Sequence, residues 1–282
     1  MNADPGAKDV SAAAVSETAL GGHPLLQPFP TGWDSVIAGL VETVGSDQFP
    51  AALHHAAACC CPFDSLVVTL YPGSAPPRSL FHTLDRLQAA VAVDFYASGP
   101  YLLDPLFLAC RNRTAPGVYS VLDLAPEAFV RSEYYRTFFR KNHIVDELGL
   151  LIPDGAERWI VVSLARDLTK PRFDGAEIAR VGAVFATVAA AVRRQWGTGE
   201  TGETGLLDLR MESFAADRLS PREREIVLLV LQGHSTPSAA ALLGISEGTV
   251  KVHRHHAYAK LGIASQAELF SLAMRHLAAS PS

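Results

Sequence analysis

LSPREREIVLLVLQGHSTPSAAALLGISEGTVKVHRHHAYAKLG, residues 219–262, is the stretch that decides how this chain is read. Ser220-Pro221-Arg222-Glu223 sets a capping hydroxyl, a first-turn proline and a reciprocating glutamate in the order that starts a helix. That helix is expected to run to Gln232, to end at Gly233 and to turn Ile226, Leu229 and Val230 inward. Thr236-Pro237 starts a short second helix through Ala240 and Leu243, which Gly244 ends. Ser246 caps a third, running to about Leu261. In it Val250, Ala257 and Leu261 recur at helical spacing, which leaves Lys251, Val252, Arg254, His255 and Tyr258 on the outside or its margins. A helix of this size after a tight turn is the shape that lays its first two turns in the DNA major groove. Ser265 and Glu268 repeat the capping pattern for a fourth helix carrying Leu269, Leu272, Ala273 and Leu277.

Outward from this stretch, charge is unevenly spread. The chain has 282 residues and a formal net charge of −5, yet from Leu219 onward six basic residues stand against four acidic ones, while 18 basic and 25 acidic residues precede them. A slightly basic end on an acidic body allows a nucleic-acid module joined to a separate domain. With 49% hydrophobic and 19% charged residues, the length suits about two globular domains. The apolar run from Val181 to Val192, between Arg180 and Arg193, is too short to span a bilayer, and the N-terminus lacks the basic-then-apolar order of a secretory signal. Cys59, Cys60, Cys61 and Cys110 form no spaced disulfide framework. A cytoplasmic location off the membrane is the expectation.

Residues 1–30, rich in Ala, Gly, Ser and Pro, read as a disordered tail. Two helices follow, one carrying Trp33, Val36, Ile37, Leu40 and Val41, the other Phe49, Leu53 and Ala57 up to Pro62. SLVVTLYPG (65–73) and residues 78–83 read as strands, then helices at 86–97 and from Asp104-Pro105 through Arg111, a short strand at 118–122, and a helix over 126–141 broken near Ser132. Strands at 147–152 and 158–166 flank Pro153-Asp154-Gly155, a hairpin signal. Asp174 and Glu177 open a long helix to Trp196, striped by Ile178, Val181, Phe185, Val188 and Val192. GTGETGETG (197–205) is a flexible acidic linker. Without regular β-α alternation, this order predicts an α+β sandwich, an antiparallel sheet covered by helices, joined to an all-α four-helix module. The expected units are a tail at 1–30, a sensing domain at 31–196, a linker at 197–217 and the helical module at 218–278.

Enzyme chemistry finds no support in the motifs. There is no Gly-x-Ser-x-Gly elbow, phosphate loop or His-Glu-x-x-His, and the glycine-rich linker lacks the Lys-Ser/Thr of a P-loop. Adjacent helical residues diverge by about 100°, so Cys59-Cys60-Cys61 and His54-His55 do not converge on a metal ion. No cofactor is expected.

LSPRE, EIV, Gly233, LLGIS, TVKVH and KLG, followed by a Ser-capped helix, together resemble the DNA-binding domain of LuxR/FixJ-type transcription regulators. The resemblance implies that Lys251, Val252 and His255 face base edges, that Arg254 flanks them, and that Thr249 with the backbone near Ser246 approaches phosphate. Lysine donates to guanine acceptors and a valine methyl meets a thymine methyl. Pro237-Ser238-Ala239 and Gln266 depart from the family pattern, the latter where an arginine is common. The resemblance further implies a homodimer on double-stranded DNA with inverted half-sites.

FYASGPYLLDPLF (95–107) resembles the ligand-binding domain of LuxR-type quorum sensors, in which an Asp-Pro pair supplies a carboxylate to a signal's amide N–H among aromatic residues. It implies a ligand site of Asp104, Phe95, Val91, Tyr119, Tyr96 and Tyr101. Phe95 stands where a tyrosine is usual, and Val91 and Tyr119 where tryptophans are usual. Asp104-Pro105 is equally an ordinary helix start, cap and first-turn proline. The expected function is a ligand-sensing transcription regulator whose signal is acyl-homoserine lactone-like or another amide- or amine-bearing molecule. The alternatives are a ligand-independent or response-regulator-like dimer and, further off, an enzyme with an appended DNA-binding domain.

Overall fold

The computed structural model describes residues 32–73, 75–197 and 214–278. The expected tail at 1–30 lies outside the described residues, as does 198–213 of the expected linker. Five strands form one antiparallel sheet: β1 (Ser65–Tyr71), β2 (Arg78–His82), β3 (Gly117–Ser120), β4 (Ile144–Pro153) and β5 (Trp159–Asp167), in the order β2-β1-β5-β4-β3.

Alternation along the three central strands sorts the layers, because successive side chains point to opposite faces. Leu66, Val68 and Leu70 of β1, Leu148, Leu150 and Ile152 of β4, and Ile160, Val162 and Leu164 of β5 are buried on one face. Against them lie α1 (Trp33–Glu42), α2 (Phe49–Cys60) and α6 (Gly175–Trp196). The residues in between, Tyr71, Leu151, Trp159 and Val161, face a second layer that holds α4 (Pro105–Arg111) and the aromatic residues Phe129, Tyr134, Phe138 and Phe139. The fold is thus the expected α+β sandwich with a helical module attached.

α6 opens on a capping box between Asp174 and Glu177, and Val181, Val184, Val188 and Val192 seal it to the sheet. It is long and apolar enough to cross a membrane, but its valine stripe is that of a core helix. Glu177 also holds Arg166 of β5 at 2.5 Å, and that guanidinium lies over the Phe173 ring and donates to the Pro62 carbonyl at 2.8 Å. Cys60 and Cys61 are buried beside this network, and burial pushes both thiols up.

Three segments depart from the expected elements. The strand expected at 118–122 ends at Ser120, whose hydroxyl accepts the Leu122 N–H and starts a short helix, α5 (Val121–Leu124). The segment at 126–141 is a 3-10 turn (Phe129–Arg131) and a π-helix (Tyr135–Arg140), parted at Ser132 as expected. The helix expected at 86–97 starts α-helical as α3 (Arg86–Ala89), widens to a π-helix over Ala90–Phe95 and is α-helical again at 96–97.

Gly149 of β4 faces α4 so closely that an added Cβ would lie 2.2 Å from Leu106 Cδ2. Leu106 is 1% exposed, so it cannot swing into solvent. Gly149→Ala is therefore expected to cost about 1–3 kcal/mol by overpacking. Urea unfolding should show a lower midpoint at unchanged slope, and Leu106→Ala should cost less in the Gly149→Ala background than alone.

The helical module comprises α7 (Pro221–Gln232), α8 (Thr236–Leu243), α9 (Glu247–Leu261) and α10 (Gln266–Ala278). Ser220, Ser235 and Ser246 cap the first three, and Gly233, Gly244 and Gly262 end them at positive φ, where a side chain would be strained. Ile226, Ala239, Ala240 and Val250 form its small core, so the unusual Pro237-Ser238-Ala239 segment packs its Ala239 fully. Gln266 turns inward and donates to the Val230 carbonyl at 3.1 Å.

Candidate nucleic-acid interface and sensor cavity

The helical module builds its outer face from local caps. The Ser246 hydroxyl accepts the Thr249 N–H at 3.1 Å and lies 2.8 Å from the Thr249 hydroxyl, which fixes the first turn of α9. Val250, Ala257 and Leu261 are buried against α7 and α8, which rotates Lys251, Val252 and His255 outward together. Val252 is 52% exposed, an apolar side chain left in solvent on a polar face. Arg254 is half-buried at the margin, close enough to Tyr258 to influence its hydroxyl. All six residues singled out for DNA in the sequence therefore lie on the first two-and-a-half turns of α9 or its cap, with Lys251, Val252 and His255 outermost.

In the sheet domain a cavity of about 80 Å³ opens between the second-layer faces of β1, β4 and β5 and the two π-helices. Asp104 sits at its edge, 9% exposed, as the cap of α4. Its carboxylate accepts the Tyr96 hydroxyl at 2.5 Å, the Tyr134 hydroxyl, and the Leu106 and Phe107 N–H groups. The Tyr96 and Tyr71 hydroxyls lie 2.6 Å apart. Burial raises the Asp104 carboxyl above the ordinary carboxylate range even against these hydrogen bonds. Burial likewise pushes the hydroxyls of Tyr71, Tyr96 and Tyr134 well up, reinforced by the Asp104 charge.

Of the ligand residues expected from the sequence, Asp104 and Tyr96 line the cavity. Tyr101 is buried behind it, its ring 6.1 Å from Tyr96 and 4.9 Å edge-on from Phe107. Phe95 is 39% exposed and stacks on Phe138, Val91 joins the apolar cluster, and Tyr119 donates to the Ala115 carbonyl, all three outside the lining. The π-helix supplies the reason. Its wider turns run over Ala90–Phe95, and it is the hydroxyl of Tyr96, the residue that follows, that reaches Asp104.

Sequence reasoning did not single out Tyr71, Tyr134, Phe138, Ser163 or Glu147 for this site, though all line it. The signal was strand alternation. Asp146 and Glu147 are neighbours on β4 and must point to opposite faces. Asp146 accepts the Phe173 N–H at 3.0 Å and the Ser120 hydroxyl at 3.3 Å on the α6 side, while Glu147 enters the cavity.

Residues 217–273 match the model of the bacterial regulatory proteins of the luxR family. The putative HTH-type transcriptional regulator in the exeN 3' region of Aeromonas salmonicida is 33% identical over 190 residues, covering 63% of this chain and 96% of that protein. The chain belongs to the LuxR family of HTH-type transcriptional regulators. The monoamine regulon transcriptional regulator of Klebsiella aerogenes is 33% identical to this LuxR-family protein over 140 residues, 49% of this chain and 54% of that one. The sheet domain shares its fold with the VqsR LBD domain of Pseudomonas aeruginosa, with a TM-score of 0.51 at 24% identity over 59% of this chain and 97% of that one. The LuxR-family regulator thus joins a sheet domain with the fold of the VqsR LBD domain to a DNA-binding helical module.

Proposed function

We propose that this regulator is switched by a small amide- or amine-bearing molecule held in the sheet-domain cavity, and that as a cytoplasmic homodimer it reads inverted DNA half-sites with α9. In this reading Lys251, Val252 and His255 meet base edges, and Thr249, Arg254 and the Ser246 turn meet the backbone. The sensing unit is 31–196 and the DNA-binding unit 218–278, joined by a linker at 197–217. The name of the Klebsiella aerogenes relative, a monoamine regulon regulator, agrees in kind with an amine signal.

One observation carries the coupling. Asp104 caps α4, and the other side of α4 meets the helical module: Pro105, Leu108 and Ala109 line one wall of a cleft of about 660 Å³ whose opposite wall is Leu228, Gln232 and His234 of the module. Beside it, the Glu127 carboxylate accepts both the N–H and the hydroxyl of Ser235, the cap of α8, and Gly233 abuts the Phe129 backbone. A ligand that shifts Asp104 is therefore one short helix away from the DNA-binding unit. The outer face of α9 is uncovered, so this contact sets the module's orientation and does not mask its reading face.

A thermal-melting panel of acyl-homoserine lactones, amides and amines against the full chain tests the reading. A ligand at a hundred times its dissociation constant should stabilise by about 2.7 kcal/mol. No stabilisation by any member, together with unaltered regulation of a reporter by Asp104→Asn, would refute it. Glu127→Ala should leave ligand affinity in place and reduce the ligand's effect on DNA affinity several-fold, measured by anisotropy with and without ligand. An intact effect would remove Glu127 from the coupling.

A further inference from the structure

We infer that Glu147 is the charge anchor of the sensor cavity and that it selects a ligand carrying an ammonium group on a small apolar body. The inference rests on the ligand-responsive reading above and names the class of ligand.

The lining holds two carboxylates, Asp104 and Glu147, and no lysine, arginine or histidine. Their surroundings differ. Asp104 is occupied, with two tyrosine hydroxyls and two backbone N–H groups directed at it. Glu147 receives the Ser163 hydroxyl, and the charges that bear on it, Asp104 and Asp146, are both negative. A carboxylate has about four acceptor sites, so most of its capacity points unmatched into the cavity. A partly buried anion in this state is costly, and desolvation with the two acidic neighbours raises its carboxyl well above the ordinary range. A bound cation would relieve that cost; a neutral acyl lactone would leave it in place.

The walls suit the rest of such a ligand. Tyr71, Tyr96, Tyr134 and Phe138 line the space with aromatic side chains that would cover an apolar body. About 80 Å³, beside the roughly 150 Å³ of a cavity that admits benzene, favours a compact amine over one with a long chain. Among the described residues no group of three or more His, Cys, Asp or Glu could hold a metal ion, which sets an organic cation ahead of an inorganic one.

Calorimetry and thermal melting of the full chain near neutral pH test this with benzylamine, its neutral counterpart benzyl alcohol, and N-butanoyl-homoserine lactone. Benzylamine should raise the melting temperature by several degrees and benzyl alcohol should not. Glu147→Gln should weaken benzylamine by about thirtyfold or more, the effect of removing one partner of a buried charge pair. Ser163→Ala should weaken it by a smaller factor. Without ligand, Glu147→Gln should melt higher than the wild type, which both shows that it folds and reports the removed charge. Benzylamine binding equally to Glu147→Gln, or a ligand-free Glu147→Gln that melts lower, overturns the inference. Stabilisation by the lactone but not by benzylamine overturns it and leaves the ligand-responsive reading standing. Silence from all three probes, with Asp104→Asn also without effect on a reporter, overturns both.

Discussion

Lys251→Ala with Val252→Ala is expected to abolish sequence-specific DNA binding while leaving the melting temperature nearly unchanged. Both side chains are exposed on α9 and neither carries any of the module's core, which rests on Val250, Ala257 and Leu261. Surface substitutions of this kind shift stability by about 0.5 kcal/mol or less. A good base contact is worth about 1–3 kcal/mol, so losing two should lower affinity for a duplex selected from randomised DNA by roughly a hundredfold or more. What remains should be the phosphate-driven component, weak and only modestly salt-dependent, since the helical module is only slightly basic. Anisotropy titrations of both proteins on the selected duplex decide it. Undiminished specific binding by the double variant would remove α9 from the role of reading helix.

Glu223→Ala should have the largest effect on the stability of the DNA-binding unit. Its carboxylate accepts the Ser220 N–H at 2.8 Å and grips the Lys260 ammonium at 2.7 and 2.9 Å, so one side chain both caps α7 and ties it to the end of α9. The Glu223 side chain is 4% exposed and that of Lys260 47%, so the ion pair is half-shielded. Losing cap and pair together should cost about 2–4 kcal/mol. Acid should act in the same direction. The Lys260 hydrogen bond, followed by that from Ser220, holds the Glu223 carboxyl down to about 2. A depressed carboxyl stabilises the fold above its unfolded value, near 4, and that contribution is lost as the pH falls toward the folded value. Circular dichroism of the wild type should show helix loss in this window, and Glu223→Ala should have already lost most of that dependence. A variant as stable as the wild type at neutral pH, with the same acid profile, would contradict the assignment. The cavity carboxylates work with the opposite sign. Asp104 and Glu147 are raised, so the ligand-free sheet domain should lose stability as the pH climbs above the ordinary carboxylate range.

The helical module was legible because its signals are local. Ser220, Ser246, Gly233, Gly244 and Gly262 each act within one turn, so the sequence states where every helix begins and ends. The sheet was legible through the strand-like runs at 147–152 and 158–166 and through the Pro153-Asp154-Gly155 turn between them. The cavity was not, for two physical reasons. A π-helix has no propensity code; the wider turn over Ala90–Phe95 accompanies the Tyr96 hydroxyl's place between Asp104 and Tyr71, an arrangement made by distant segments. Alternation assigns Asp146 and Glu147 to opposite faces but does not say which face holds a cavity, and that depends on where the aromatic segment around Phe138 folds.

The most direct measurement is the affinity of the full chain for its selected duplex with and without benzylamine at a concentration that saturates the cavity by calorimetry. A sensor cavity one short helix from the DNA-binding unit predicts a change of about fivefold or more, the lower range of allosteric coupling. An affinity unchanged while the amine is demonstrably bound would contradict the account.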